Sequence, residues 1–205
     1  GSPDQGGTYC QWSGIKCDEH GNVIEIDLSG VGLQGNLSSA VPSIVVLPKI
    51  QVINLAGNKD EANCTGIVGG WPADIDDASL SLQTIQLQQN GIKDKMPSSL
   101  GRLINLDTLD LHYNFVYGPL MPLPPSLTYF SVATNSMTGS IPASYAQLGK
   151  LTTFGIAYNR ITGSIAPVMS MLKLTVMYTR GNSLSGEVPK NITALSKCGI
   201  VDLQN

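Results

Sequence analysis

Few groupings in this chain could do chemistry, and each lacks a second component. Gly30-Val31-Gly32-Leu33-Gln34-Gly35 has the form G-x-G-x-x-G. A dinucleotide site also needs a helix opening there and an acidic residue about twenty positions on. No Asp or Glu occurs between Asn36 and Lys59, so the phrase reads as a turn. His20 and His112 stand far apart, outside any metal-ligand spacing. Asp74, Asp76 and Asp77 form one acidic cluster, which reads as a solvated loop, with calcium binding as the alternative. No G-x-S-x-G elbow is present. The sequence therefore predicts no catalytic residue, no cofactor and no metal.

Binding is better supplied. Asp110, His112, Tyr113, Tyr129, Tyr158, Tyr178 and Arg180 fall at corresponding places in successive segments, outside the apolar positions. Tyr and Arg bring large contact area at modest entropic cost and are enriched at protein hot spots. Strands favour Tyr and Thr for their own sake, so the pattern alone does not separate a binding surface from an ordinary strand face. These seven residues are the expected partner-binding set.

What positions them is a repeat. Asn58, Asn90, Asn114, Asn135, Asn159 and Asn182 each close the frame apolar-x-x-apolar-x-apolar-x-x-Asn, clearest in Leu106-x-x-Leu109-x-Leu111-x-x-Asn114 and Leu151-x-x-Phe154-x-Ile156-x-x-Asn159. From Asn90 onward the spacings are 24, 21, 24 and 23 residues. The alternating pair reads as a short strand with one buried face. The Asn follows where the chain turns inward, and its amide can satisfy backbone groups there. One unit cannot bury its own apolar edge, so neighbours must stack. Val23, Ile26 and Leu28 extend the register forward, with Val31 in the Asn place, and Cys198, Val201 and Leu203 extend it backward. Eight strands at about 4.8 Å make a sheet about 34 Å wide.

With 205 residues, 42% of them hydrophobic, one domain has ample core; charged residues are only 13% and the net charge is −3. No basic stripe favours nucleic acid, and no apolar run approaches the roughly 18 residues of a membrane span. The opening Gly1-Ser2 reads as a cloning scar, so a native anchor is expected to lie outside this segment.

The tails of the repeats, Met137-Thr138-Gly139-Ser140-Ile141-Pro142, Ile161-Thr162-Gly163-Ser164-Ile165 and Leu184-Ser185-Gly186-Glu187-Val188-Pro189, give the chain a family likeness. It resembles the plant-type leucine-rich repeat, LxxLxLxxNxLTGxIP. The front end, Cys10-Gln11-Trp12-Ser13-Gly14-Ile15-Lys16-Cys17, resembles the CxWxGVxC cap of plant receptor kinases and of kinetoplastid promastigote surface antigens. The likeness implies a right-handed α/β-type solenoid with one parallel sheet on its concave face and short helical or irregular convex segments. It implies a cap over 1–22, seven to eight repeats over 23–205 with the last incomplete, and a Cys10–Cys17 disulfide. Asp94 stands where the family has Gly and Ala166 where it has Pro, and 59–70 is an insertion, expected to protrude. Cys64 and Cys198 lie six repeats apart, about 29 Å, too far to pair. Cys198 reads as a buried thiol or as the partner of a cysteine in a further cap.

Sequons at Asn36, Asn63 and Asn191 favour a secreted or surface protein. The expected function is extracellular or cell-surface recognition of a protein, peptide or glycan-bearing ligand through the exposed sheet face, by a monomer. The alternatives are an enzyme inhibitor of the polygalacturonase-inhibitor type and an ice-binding solenoid built on Thr128, Thr152, Thr153 and Thr175. That threonine set is interrupted by Tyr and Val and is too irregular for a flat plane.

Overall fold

Ile26, Ile53, Ile85, Leu109, Phe130, Phe154 and Met177 occupy one column of the sheet, each from its own strand, and each is at most 8% exposed. The computed structural model describes residues 8–39, 44, 47–60, 66–71, 80–187 and 200–202. Parallel strands Val23–Asp27, Val52–Asn54, Thr84–Gln86, Thr108–Asp110, Tyr129–Ser131, Thr153–Gly155, Val176–Tyr178 and Ile200–Asp202 pair in strict sequence order. The fold is a leucine-rich repeat solenoid. The register is unbroken, running Ile53↔Ile85, Ile85↔Leu109, Leu109↔Phe130 and Phe130↔Phe154. A one-residue slip would turn every apolar side chain of a strand outward, and that penalty fixes the register.

A ninth strand, Ile15–Cys17, was not foreseen. It comes from the amino-terminal segment and pairs antiparallel with Val23–Asp27, so the first repeat has no open edge on that side. Cys10 and Cys17 are joined, with Cα atoms 5.7 Å apart. Gly14 (φ 83°) lies against the carbonyl of Asp27, where a Cβ would come within 2.1 Å; only glycine fits this crossing.

Away from the sheet the convex segments include one-turn 3-10 helices, Ser98–Arg102, Ala143–Gln147 and Ala166–Ser170. They also carry short parallel ladders, which the helical-or-irregular expectation omits. Gly35–Asn36, Ile67–Gly69 and Gly91–Ile92 form one, Tyr117–Pro119 with Ser136–Thr138 a second, and Thr162–Gly163 with Ser183–Leu184 a third. Between the layers, Tyr145 meets Phe130 and Phe154 edge-on and the two phenylalanines lie tilted against each other, with centroids 6.0–6.3 Å apart. The Tyr145 hydroxyl donates to the Met121 carbonyl at 2.9 Å, and burial pushes that phenol well above its ordinary range.

Five of the six ladder asparagines are buried, and Asn135 is partly buried. Asn159 shows the pattern: Nδ2 donates to the carbonyls of Val132 (2.9 Å) and Ile156 (3.0 Å), and Oδ1 accepts from the N–H of Met137 (2.8 Å). The same N–H, two residues past the preceding rung, is supplied by Leu33, Ile92, Val116 and Ile161 to Asn58, Asn114, Asn135 and Asn182. Asn90 departs. Its Nδ2 bonds Leu55 and Leu87 carbonyls, but its Oδ1 is buried without a hydrogen-bond partner. Its expected donor would be Asp60, where the inserted segment leaves the repeat path.

The insertion needs correcting. Its carboxy-terminal part does not protrude: Ile67–Gly69 is a strand, and Ile67 is buried in the core. The glycine pair reflects close packing rather than exposure. A Cβ on Gly69 would fall 2.2 Å from Asn36 Oδ1, and one on Gly70 would fall 2.1 Å from Asp94 Oδ2. Asp94, in the family's glycine position, accepts from the Trp71 N–H at 3.2 Å and so fastens the returning chain. Residues 61–65, with Asn63 and Cys64, lie outside the described residues, as do Asp74, Asp76, Asp77, Asn191 and Cys198.

Asn159→Ala leaves the buried Met137 N–H without its partner and takes one of two amide donors from the Val132 and Ile156 carbonyls, which keep Asn135 and Asn182, and should cost about 2 kcal/mol. Asn90→Ala removes an amide whose acceptor side is already unused and should cost about 1 kcal/mol less. Urea denaturation of both variants checks the order; equal costs would mean that the Oδ1 bond contributes nothing.

Candidate functional site

The strand geometry sets three outward columns, and on the repeats from Thr108 to Arg180 they hold the candidate residues. Asp110, Ser131, Gly155 and Tyr178 are consecutive partners across four strands. Asp110 is only 5% exposed although it lies on the outward face. Its carboxylate oxygens have partners there: His112 Nδ1 stands 2.7 Å from Oδ1, and the Tyr129 hydroxyl donates to Oδ2 at 3.1 Å. Burial first, and then the Asp110 charge, push the Tyr129 phenol up to about 12, with Tyr178 adding to the effect. Tyr129 is thus a neutral donor at any physiological pH.

Small residues lie between the large ones. Ser131, Gly155 and Ala157 are buried, covered by the side chains that rise around them. A Cβ on Gly155 would sit 2.8 Å from Ser131 Oγ, so this part of the face has no room for a further side chain. The result is a packed polar and aromatic patch.

The seven sequence candidates therefore divide into three groups. Asp110, His112 and Tyr129 form one hydrogen-bonded unit. Arg180 lies over the ring of Tyr158, 5.2 Å from its centroid, as a second unit, and Tyr178 stands beside it, 40% exposed. Tyr113 meets the His112 ring edge-on at 5.5 Å but turns toward the rim, where it lines a cavity with Lys59 and Phe115. Lys59 and Phe115 are absent from the sequence candidates because each follows a ladder asparagine, beyond the columns of the sheet. A signal existed: Gly57 and Gly181 precede ladder asparagines in the same way as Tyr113 and Tyr158. Glycine there marks a left-handed turn, from which a larger residue projects its side chain off the sheet.

The threonine set has structural employment. Thr152 Oγ1 donates to the Thr128 carbonyl at 2.9 Å and Thr175 Oγ1 to the Thr152 carbonyl at 3.1 Å. The Thr128 hydroxyl bonds the Asp107 carboxylate. These hydroxyls tie neighbouring repeats together instead of forming a free plane.

A stack of short parallel strands of this kind defines the leucine-rich repeat class, and the homologues of the chain are plant leucine-rich repeat receptor kinases and receptor-like proteins. No protein-family model matches the chain. It is 35% identical over 106 residues to the LRR receptor-like serine/threonine-protein kinase GSO2 of Arabidopsis thaliana, covering 52% of this chain and 7% of that protein. It is 27% identical over 147 residues to the serine/threonine-protein kinase BRI1-like 1 of the same plant, covering 69% and 12%. The chain thus spans a small fraction of the relatives it matches. Among solved structures, it superposes on the PEPR1–AtPEP1 crystal structure with a TM-score of 0.81 at 27% identity, covering 97% of this chain and 27% of that one. The Arabidopsis receptor kinase HAESA in complex with the peptide hormone IDA and the co-receptor SERK1 gives 0.77 at 27% identity, covering 94% and 32%.

Tyr129→Phe deletes a donor to a buried carboxylate and should lower stability by about 1–2 kcal/mol. Tyr178→Phe, at an exposed ring, should stay within about 0.5 kcal/mol of the parent. Thermal unfolding of both variants measures the difference, and no gap between them would remove Tyr129 from the Asp110 unit.

Proposed function

We propose that this chain is the recognition module of an extracellular or cell-surface protein, binding a protein or peptide ligand as a monomer through the exposed sheet face between Thr108 and Arg180. The observation that carries the reading is the Asp110–His112–Tyr129 unit facing Tyr178 and the Tyr158–Arg180 pair across a floor of small buried residues. The side chains are held in place before any ligand arrives, so less entropy is lost on binding. One structural neighbour is the receptor kinase HAESA in complex with the peptide hormone IDA, which supports the ligand class. The kinase in the relatives' names is not carried over, because what matches here is repeats. An exposed Asn36, whose Oδ1 accepts from the Ser38 N–H and hydroxyl, is the proposed glycan attachment point that the described residues include; Asn63 and Asn191 are proposed with it.

The test is affinity capture with the glycosylated domain, followed by single substitutions against the captured ligand. Tyr178→Ala and Arg180→Ala should each weaken binding by about 2 kcal/mol, roughly thirtyfold in Kd. Folding should survive, since neither side chain enters the core. Parent-like affinity in both variants would move the site off this face.

A further inference from the structure

The residue just before each ladder asparagine has left-handed backbone. Where it is Gly57 or Gly181 this costs little, but Gln89, Tyr113, Thr134 and Tyr158 hold φ of 54–56° on four successive repeats. Each such residue carries a steric penalty that glycine would avoid. Strain retained at repeated positions points to use of the side chain.

Three of the four, Gln89, Tyr113 and Thr134, line one rim cavity of about 450 Å³ together with Lys59, Asn114 and Phe115. That volume lies within the range of small-ligand sites. The Tyr113 and Phe115 rings are 57% and 48% exposed. Lys59 Nζ stands 5.1 Å from the Phe115 centroid, and Lys59 is the single charged side chain among the described residues of the lining. The Asn114 carboxamide is committed to the ladder. The Gln89 amide and the Tyr113 and Thr134 hydroxyls supply side-chain polarity. The backbone N–H groups of the lining are closed: Gln89 donates to His112, Tyr113 to Ala133, Asn114 to Thr134, Phe115 to Ile92 and Thr134 to Ala157. No strand edge is offered to an extended peptide, so recognition by main-chain pairing is excluded here.

We propose that this rim cavity is a second binding site, which takes a carboxylated saccharide. The aromatic rings receive the C–H face of a sugar ring, amide and hydroxyl groups meet its hydroxyls, and Lys59 meets its carboxylate. The site is independent of the sheet-face reading, and either can fail alone.

Titration by protein NMR at low ionic strength tests it, with a trimer of galacturonic acid, the same trimer as its methyl ester, and triglutamate as probes. The acidic trimer should bind at least tenfold more tightly than the other two. Lys59→Gln and Phe115→Ala should each weaken it at least tenfold, whereas Tyr178→Ala should leave it unchanged. Tyr113→Asn relieves the left-handed strain, because Asn tolerates that backbone. It should raise Tm by about 2–4 °C while weakening the acidic trimer. Failure of the trimer to bind, equal binding of the ester or the peptide, or indifference to Lys59 and Phe115 would overturn the site. A lowered Tm in Tyr113→Asn would overturn the strain argument.

Discussion

Everything in this molecule hangs on a carboxamide inside a turn. After each strand the chain must bend into the core, and the bend strands carbonyls on both sides of a repeat boundary. A buried carbonyl without a partner costs on the order of a typical hydrogen bond or more. The ladder asparagine answers with one side chain: Nδ2 reaches the carbonyl of its own strand and that of the preceding repeat, and Oδ1 accepts an N–H from the preceding repeat. No single apolar or hydroxyl side chain has two donors and an acceptor in that geometry. Because each rung bonds the unit before it, the asparagine specifies stacking as well as turning. Packing of the apolar column then supplies the bulk of the stabilisation that the rungs orient.

The insertion shows how far that constraint can be stretched. It follows the rung at Asn58, displaces the chain where the next rung expects a donor, and leaves Asn90 Oδ1 buried and unpartnered. The break is confined because the chain is recaptured at once: Ile67 enters the core, Gly69 and Gly70 admit the side chains of Asn36 and Asp94, and Asp94 accepts the Trp71 N–H. A ladder of nearest-neighbour units tolerates one weak rung in this way, since each interface contributes nearly on its own. The insertion also delivers Lys59 to the rim, beside Phe115.

The repeat was legible because its signal is periodic. Strand order, register and the asparagine column follow from spacing that recurs often enough to outweigh local exceptions such as Asp94 and Ala166. The antiparallel strand Ile15–Cys17 was not legible, because it occurs once and its pairing depends on a crossing that only Gly14 permits. The lateral ladders were missed for a related reason: each joins only two or three strands, so no period running along the chain marks them. At the site, the sequence placed side chains in columns but could not say which ones cover which. The floor at Ser131 and Gly155, and the commitment of Tyr129 to Asp110, are contacts across strands.

The rim follows from the same turn that needs the asparagine. To aim its carboxamide inward, the chain passes through a left-handed residue one position earlier, and that residue's side chain leaves the sheet plane. Glycine at Gly30, Gly57 and Gly181 keeps the rim bare at those repeats. Gln89, Tyr113, Thr134 and Tyr158 clothe it over four consecutive ones, with strained backbone held by the rungs beside them. A flexible loop could not hold such conformations, because it would relax. The ladder therefore does more than close the core: it supports a row of high-energy side-chain positions at fixed spacing, next to the face where Asp110, His112 and Arg180 are already gathered. Recognition surface and structural frame are set by adjacent residues in the same turn, which is why the variable positions of the repeat can change their chemistry while the asparagine beside them does not.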